Sequence, residues 1–200
     1  MGRGVGSAAR SAVTLPGVAR QLTFRQIIEQ PPRPYCVVDL ETTGLDPAME
    51  QIWEIGAVRY DENGQEIGRF RAILDPGKPL PPEIEELCHI TNEEIWAQGR
   101  PASDVMPELA AFLGDSLVIT YNAQFDVPFI EHEWRRLGNR SCLVKEYACA
   151  LTAARWYLPE LQNHKLGTVA SHFDVPLAKA HRADDILGVV PADLRTPYDI

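Results

Sequence analysis

Residues 35–44 read Tyr-Cys-Val-Val-Asp-Leu-Glu-Thr-Thr-Gly, an apolar run that ends on two carboxylates two positions apart. Side chains on a strand alternate faces, so Asp39 and Glu41 point the same way. Neighbouring acids at a strand end repel each other and add nothing to a core, but they suit a divalent cation held between them. The segment therefore predicts a sheet with one strand end given over to chemistry on phosphate.

Two hundred residues are enough for one domain with a sizeable core. The formal charge of −9, with 19 Lys+Arg against 28 Asp+Glu, argues against a protein that coats duplex DNA by bulk electrostatics. It leaves open one that grips only a strand end, where a bound metal pair would add about +4 locally. Cys36, Cys88, Cys142 and Cys149 show no zinc spacing, and they predict reduced thiols and a cytoplasmic location. No apolar stretch reaches the ~18–20 residues of a membrane span. The first 28 residues carry Arg3, Arg10, Arg20 and Arg25 and no acid. They predict a flexible extension over 1–30, with an organelle transit peptide as the alternative.

Prolines 31, 32 and 34 punctuate the entry to the first strand. A second strand is expected over 51–60, a hairpin turn at Asp61-Glu-Asn-Gly64, and a third strand over 66–74. A short helix follows over 83–87. Thr91, with acids behind it, reads as the N-cap of another, and Ser103 as the N-cap of a helix running to Phe112 and stopping at Gly114. A buried strand over 117–120 precedes a helix over 127–137, then helices over 147–157 and 167–172. Strands followed by alternating helices and short strands predict an α/β layer fold with a mixed central sheet over 31–190, and an irregular tail over 191–200.

Two further constellations carry acids. Tyr121-Asn-Ala-Gln-Phe-Asp126 follows the short strand and opens a helix. Asp126 there can be a plain helix-dipole partner or a site acid, since open α/β sheets build their sites at strand ends. Ala180-His-Arg-Ala-Asp-Asp185 places His181 near two carboxylates, sharing one face if the segment is helical. A lone His is commonly a satisfied surface or core group, and the clustering favours a functional one.

Asp-Leu-Glu-Thr-Thr-Gly, then Asn-Ala-Gln-Phe-Asp, then a late His followed by Asp, in this order, resembles the DnaQ-like (DEDDh) 3′–5′ exonucleases. That group includes the proofreading epsilon subunit of bacterial DNA polymerase III. The resemblance runs from Tyr35 to Asp185 and takes in Pro-Pro-Glu-Ile-Glu-Glu-Leu-Cys-His-Ile-Thr and His164-Lys-Leu. It implies a ribonuclease H-like fold and release of nucleoside 5′-monophosphates from the 3′ ends of single-stranded DNA. RNA 3′ ends are the alternative substrate. It implies that Asp39, Glu41, Asp126 and Asp185 hold two Mg²⁺ or Mn²⁺ ions, for which carboxylates are the right hard ligands. His181 would be the general base. A DNA polymerase subunit is the implied partner.

The same resemblance suggests substrate contacts at Thr42, Thr43, His89, Asn122 and Phe125, each with a plainer reading beside it. Thr42 and Thr43 also fit ordinary turn chemistry, Asn122 an ordinary helix cap, and Phe125 the core. His132 reads as surface. Arg135, Arg136, Arg140 and Lys145 read as a solvated helix end or as a phosphate track.

The sequence departs from the family pattern at its end. The family places the last metal-binding Asp five residues after the His, and here that residue is Ile186, with Asp185 fourth and Asp184 third. One helical step is about 100°, so the shift turns the carboxylate well off its expected direction. Pro191 and Pro197 exclude the long closing helix of the family. A catalytically impaired nucleic-acid- or polymerase-binding module is the rival expectation.

Overall fold

The alternation in residues 35–74 becomes three antiparallel strands. The computed structural model describes residues 18–175. β1 (Arg20–Gln21) and α1 (Phe24–Ile28) lead into β2 (Tyr35–Thr42), β3 (Ile52–Tyr60) and β4 (Glu66–Ile73). Then come α2 (Pro82–Cys88), α3 (Asn92–Gln98), α4 (Ala102–Leu113), β5 (Leu117–Thr120) and α5 (Ala123–Arg136). β6 (Glu146–Cys149), α6 (Ala150–Tyr157) and α7 (Leu166–His172) complete the described residues.

The strands form one six-stranded sheet in the order β1-β6-β5-β2-β3-β4. β2, β3 and β4 are antiparallel neighbours, while β5 runs parallel to β2, β6 to β5, and β1 to β6. The sheet is mixed and flanked by helices, the α/β layer arrangement expected from the sequence. The hairpin between β3 and β4 is held by Asp61, whose Oδ1 accepts from the backbone N–H of Asn63 at 2.9 Å and of Gln65 at 2.8 Å.

Period-2 burial explains which face meets the helices. Cys36, Val38 and Leu40 of β2 join Met106 and Leu109 of α4 and Phe129 and Ile130 of α5 in the main core. Each fully buried aliphatic or aromatic side chain there contributes about 1.5–3 kcal/mol. Asp39 and Glu41 alternate away from that face. A smaller cluster of Trp53, Ile73, Leu80, Cys88, Ile90 and Ile95 packs beneath α2 and α3. It fixes the segment around His89 against β3.

Several expected elements differ. The segment 147–157 is helical only from Ala150; its start is strand β6, whose Tyr147 pairs with Val118 and Cys149 with Thr120. Pairing to an open strand edge overrides weak helix preference in so short a stretch. The N-terminal segment through residue 30 is not all extension: Arg20 pairs with Glu146, and Leu22 packs on Leu117 and Ala148. α1 begins with a capping box between Thr23 and Gln26. Residues 1–17, and the tail expected over 191–200, lie outside the described residues. α4 starts one residue before Ser103, with Pro101 at its N-cap and no side-chain cap. Thr91 does cap α3, in a box with Glu94.

Candidate active site

The acid-bearing end of β2 is defined by its pairing. Asp39 lies opposite Gly56 and Glu41 opposite Glu54 on β3, and the ladder slips between Glu41 and Thr42. Directly paired residues project to one face, so Glu54 joins Asp39 and Glu41 there. Glu54 is wholly buried, and Arg71 of β4 reaches its Oε1 with Nε at 2.7 Å and Nη2 at 2.6 Å. Asp126 sits in the first turn of α5 and is 5% exposed.

These carboxyls disturb one another. Burial, then the charges of Asp126, Glu41 and Glu54, push Asp39 well above the usual carboxylate range, although the Leu40 backbone counters them. Its Oδ2 is buried without a hydrogen-bond partner. Burial likewise raises Asp126 to about 7. Buried acids facing one another are costly unless protonated or neutralised by a cation.

The donor set fits a hard divalent ion, because it is all carboxylate and includes a buried oxygen with no other partner. Asp39 and Asp126 are brought into mutual electrostatic reach, with Glu41 beside Asp39. Cys88 of α2 places its Sγ 3.8 Å from Glu41 Oε2. Among the described residues, no three His, Cys, Asp or Glu side chains converge as a complete ligand group. Asp185, expected as a further ligand, and His181, expected as the base, lie outside the described residues, as do Asp184 and Ile186.

The expected substrate side is the turn that leaves β2. Thr42 Oγ1 donates to the Gly44 carbonyl at 2.7 Å. Thr43 Oγ1 donates to Glu50 Oε2 at 2.5 Å and accepts from the Gln51 N–H at 3.0 Å. Both hydroxyls are thus engaged within the loop itself. Asn122 occupies the N-cap of α5 but makes no side-chain cap, and it is exposed beside Asp126. Phe125 is half-buried against the core, its ring 4.9 Å from that of Phe129. His89 is exposed at the end of α2 in the left-handed region, φ 51°.

His132, expected at the surface, is half-buried, and its Nδ1 is buried without a partner. The basic stretch is largely occupied by acids. Arg135 pairs with Glu131 at 3.5 Å, Arg136 with Glu133 at 3.1 Å, and Lys145 with Asp115. That is the pattern of a paired helix end. Glu54 and Arg71 were not singled out from the sequence; an acid between Trp53 and Ile55 in an apolar strand was the available signal.

Comparison with known proteins adds to this geometry. The family model RNase_T, described as Exonuclease, matches residues 36–186. The chain is similar to DNA polymerase III PolC-type of Halalkalibacterium halodurans, 35% identical over 150 residues. It is 36% identical over 152 residues to the protein of the same name from Clostridium perfringens. Those matches cover 74% and 76% of this chain and 10% of each relative, so the chain spans about a tenth of their length. The fold is similar to that of E. coli exonuclease I in complex with a dT13 oligonucleotide. The TM-score is 0.71 at 18% identity, over 81% of this chain and 40% of that one.

Proposed function

The chain belongs to the RNase_T exonuclease family, matched over residues 36–186, and from that premise we propose that it is a metal-dependent 3′–5′ exonuclease acting on single-stranded DNA. The observation that carries this reading is the buried Asp39–Asp126 pair, two carboxyls pushed up by burial, with Asp39 Oδ2 lacking a hydrogen-bond partner among the described residues. Asp39, Glu41, Asp126 and Asp185 would hold two Mg²⁺ or Mn²⁺ ions, which would supply positive charge favouring ionised water and the departing 3′ oxygen.

The chain's own residues do the rest. His181 would take the proton of the attacking water at a ring nitrogen, a task suited to an imidazole. The water oxygen bonds to the terminal phosphorus as the bond to the preceding 3′ oxygen breaks and that oxygen takes a proton from solvent, giving a nucleoside 5′-monophosphate and a new 3′ hydroxyl. Thr42 and Thr43 shape the turn that approaches the last nucleotide. Asn122 at the start of α5, Phe125 in its first turn and His89 at the end of α2 would help orient it. Single-stranded DNA is favoured because E. coli exonuclease I, of like fold, is seen with a dT13 oligonucleotide. Action beside a DNA polymerase, as in proofreading, is the setting that the PolC-type relatives support. A cytoplasmic setting suits the four free thiols. Among the described residues, no helix is long and apolar enough to cross a membrane.

A second reading rests on one specific observation: Ile186 stands where the family pattern has its last acid. On that reading the chain keeps the fold and binds nucleic acid or a polymerase without turning substrate over. Incubating a 3′-labelled single-stranded DNA with the full chain, with Mn²⁺ or with chelator, decides between them. Metal-dependent release of mononucleotides upholds the exonuclease. Intact oligonucleotide from folded protein favours the binding module. The same assay with an RNA strand tests the choice of sugar.

A further inference from the structure

Resting on that exonuclease reading, we propose that Glu50 is a positioning residue: it grips Thr43 and Lys78 together and so sets the turn at 42–44 that receives the terminal nucleotide. Three independent contacts carry the inference. Glu50 Oε2 accepts from the Thr43 hydroxyl at 2.5 Å and from Lys78 Nζ at 2.6 Å. Its side chain also lies over Gly44, where a Cβ would come within 2.8 Å of Glu50 Cγ and Cδ. A Cβ at residue 44 would have to push aside the Glu50 side chain that Thr43 and Lys78 hold there.

The loop that presents Glu50 is fixed from the other side. Arg136, at the end of α5, donates to the carbonyls of Glu50 at 3.3 Å, Ala48 at 3.3 Å and Pro47 at 3.4 Å. Asp46 closes the loop on itself, its carbonyl accepting from the Glu50 N–H at 2.8 Å. Glu50 thus joins three segments: the β2 exit through Thr43, the β2–β3 loop through its own backbone, and the β4–α2 connection through Lys78. Charge-assisted bonds of this kind are about twice as strong as neutral ones. The Thr43 hydroxyl is thereby committed to Glu50, and what the turn offers to substrate is its backbone and its shape. Glu50 acts on substrate only through that shape, so it governs affinity and leaves the chemical step alone.

The test uses the full chain with Glu50→Ala, Glu50→Gln, Lys78→Met and the Glu50→Ala/Lys78→Met double variant. Two readouts are taken: hydrogen exchange of the 42–51 segment, and kcat and KM for Mn²⁺-dependent mononucleotide release from single-stranded DNA. Glu50→Ala should speed exchange in 42–51 without changing the core strands. It should also raise KM about tenfold with kcat within about twofold. Glu50→Gln keeps an acceptor for Thr43 and should raise KM by only about threefold, as should Lys78→Met. The double variant should be no worse than Glu50→Ala, since both changes remove one shared contact. Wild-type exchange and KM in Glu50→Ala would overturn the proposal, as would a kcat loss with unchanged KM or full additivity in the double variant. Should the wild-type chain release no nucleotide, it is the exonuclease reading that fails. The exchange data then judge Glu50 alone: lost protection in 42–51 upholds its hold on the turn, and unchanged protection overturns it.

Discussion

Asp39, inside β2, and Glu50, in the loop that follows it, carry the same chemical group, and their surroundings are opposite. Asp39 faces Asp126, Glu41 and Glu54, has a buried oxygen without a partner, and is pushed well above the usual carboxylate range. Glu50 faces Lys78 and the Thr43 hydroxyl, which hold it below that range. One carboxylate is satisfied by the chain and serves architecture. The other is set among like charges, and one of its buried oxygens has no hydrogen-bond partner among the described residues. The contrast separates an acid that the fold needs from acids that the fold tolerates.

The sharpest break in that comparison is Asp39→Ala. It should lower turnover by more than about 10³-fold while the protein stays folded, because it removes like-charge repulsion along with a ligand. An unfolded variant, or undiminished nucleotide release, would sink the assignment. His181→Ala should slow release by roughly 10²–10⁴-fold yet spare Mn²⁺ binding, measured as the thermal shift on adding the ion. An equal loss of Mn²⁺ stabilisation would make the His a ligand.

Arg71→Met probes the remaining acid of the cluster. It removes the guanidinium that reaches the buried Glu54 carboxylate and should destabilise by about 2 kcal/mol in urea unfolding. A fully buried pair would lose ~3–5 kcal/mol, but the Arg71 side chain is 39% exposed, so solvent recovers part of the interaction. Unchanged stability would mean that Arg71 is not what keeps Glu54 tolerable.

A gentler test follows from titration. Asp126 stands at about 7 in the fold against 3.8 when unfolded, so the folded state holds the extra proton between those values. Stability from this group is therefore greatest below about pH 4 and falls as pH rises towards about 7. Thermal melts of metal-free protein should show that fall, and Mn²⁺ should flatten it. A flat metal-free profile would contradict the buried pair. The smallest effect belongs to the exposed Lys145–Asp115 pair, where Lys145→Ala should leave Tm unchanged within error.

How far the sequence reveals this molecule depends on length of signal. β2, β3 and β4 were legible because each has eight or nine residues of alternating or buried pattern bounded by turn residues. β6 has four residues and β1 two, too short to hold a period, and both exist because a parallel neighbour offers an edge. α1 did carry a readable sign, the Thr23-x-x-Gln26 cap. At the site, the Asp39 and Glu41 spacing and the strand-to-helix position of Asp126 were enough to place those acids. Glu54 was hidden because its role comes from register across β2 and β3, which no single strand displays. Glu50 and Lys78 meet across 28 positions of chain, a pairing that sequence spacing alone does not announce.

α5 has work at both ends: Asp126 in its first turn faces Asp39, and Arg136 at its last residue holds the loop at 47–50. The helix is in effect a ruler laid between the acids and the loop behind the nucleotide turn. Inserting one residue in its middle would leave Asp126 in place but swing Arg136 about 100° around the axis and advance it about 1.5 Å. Evolution can therefore exchange side chains along α5 more freely than it can change the helix's length.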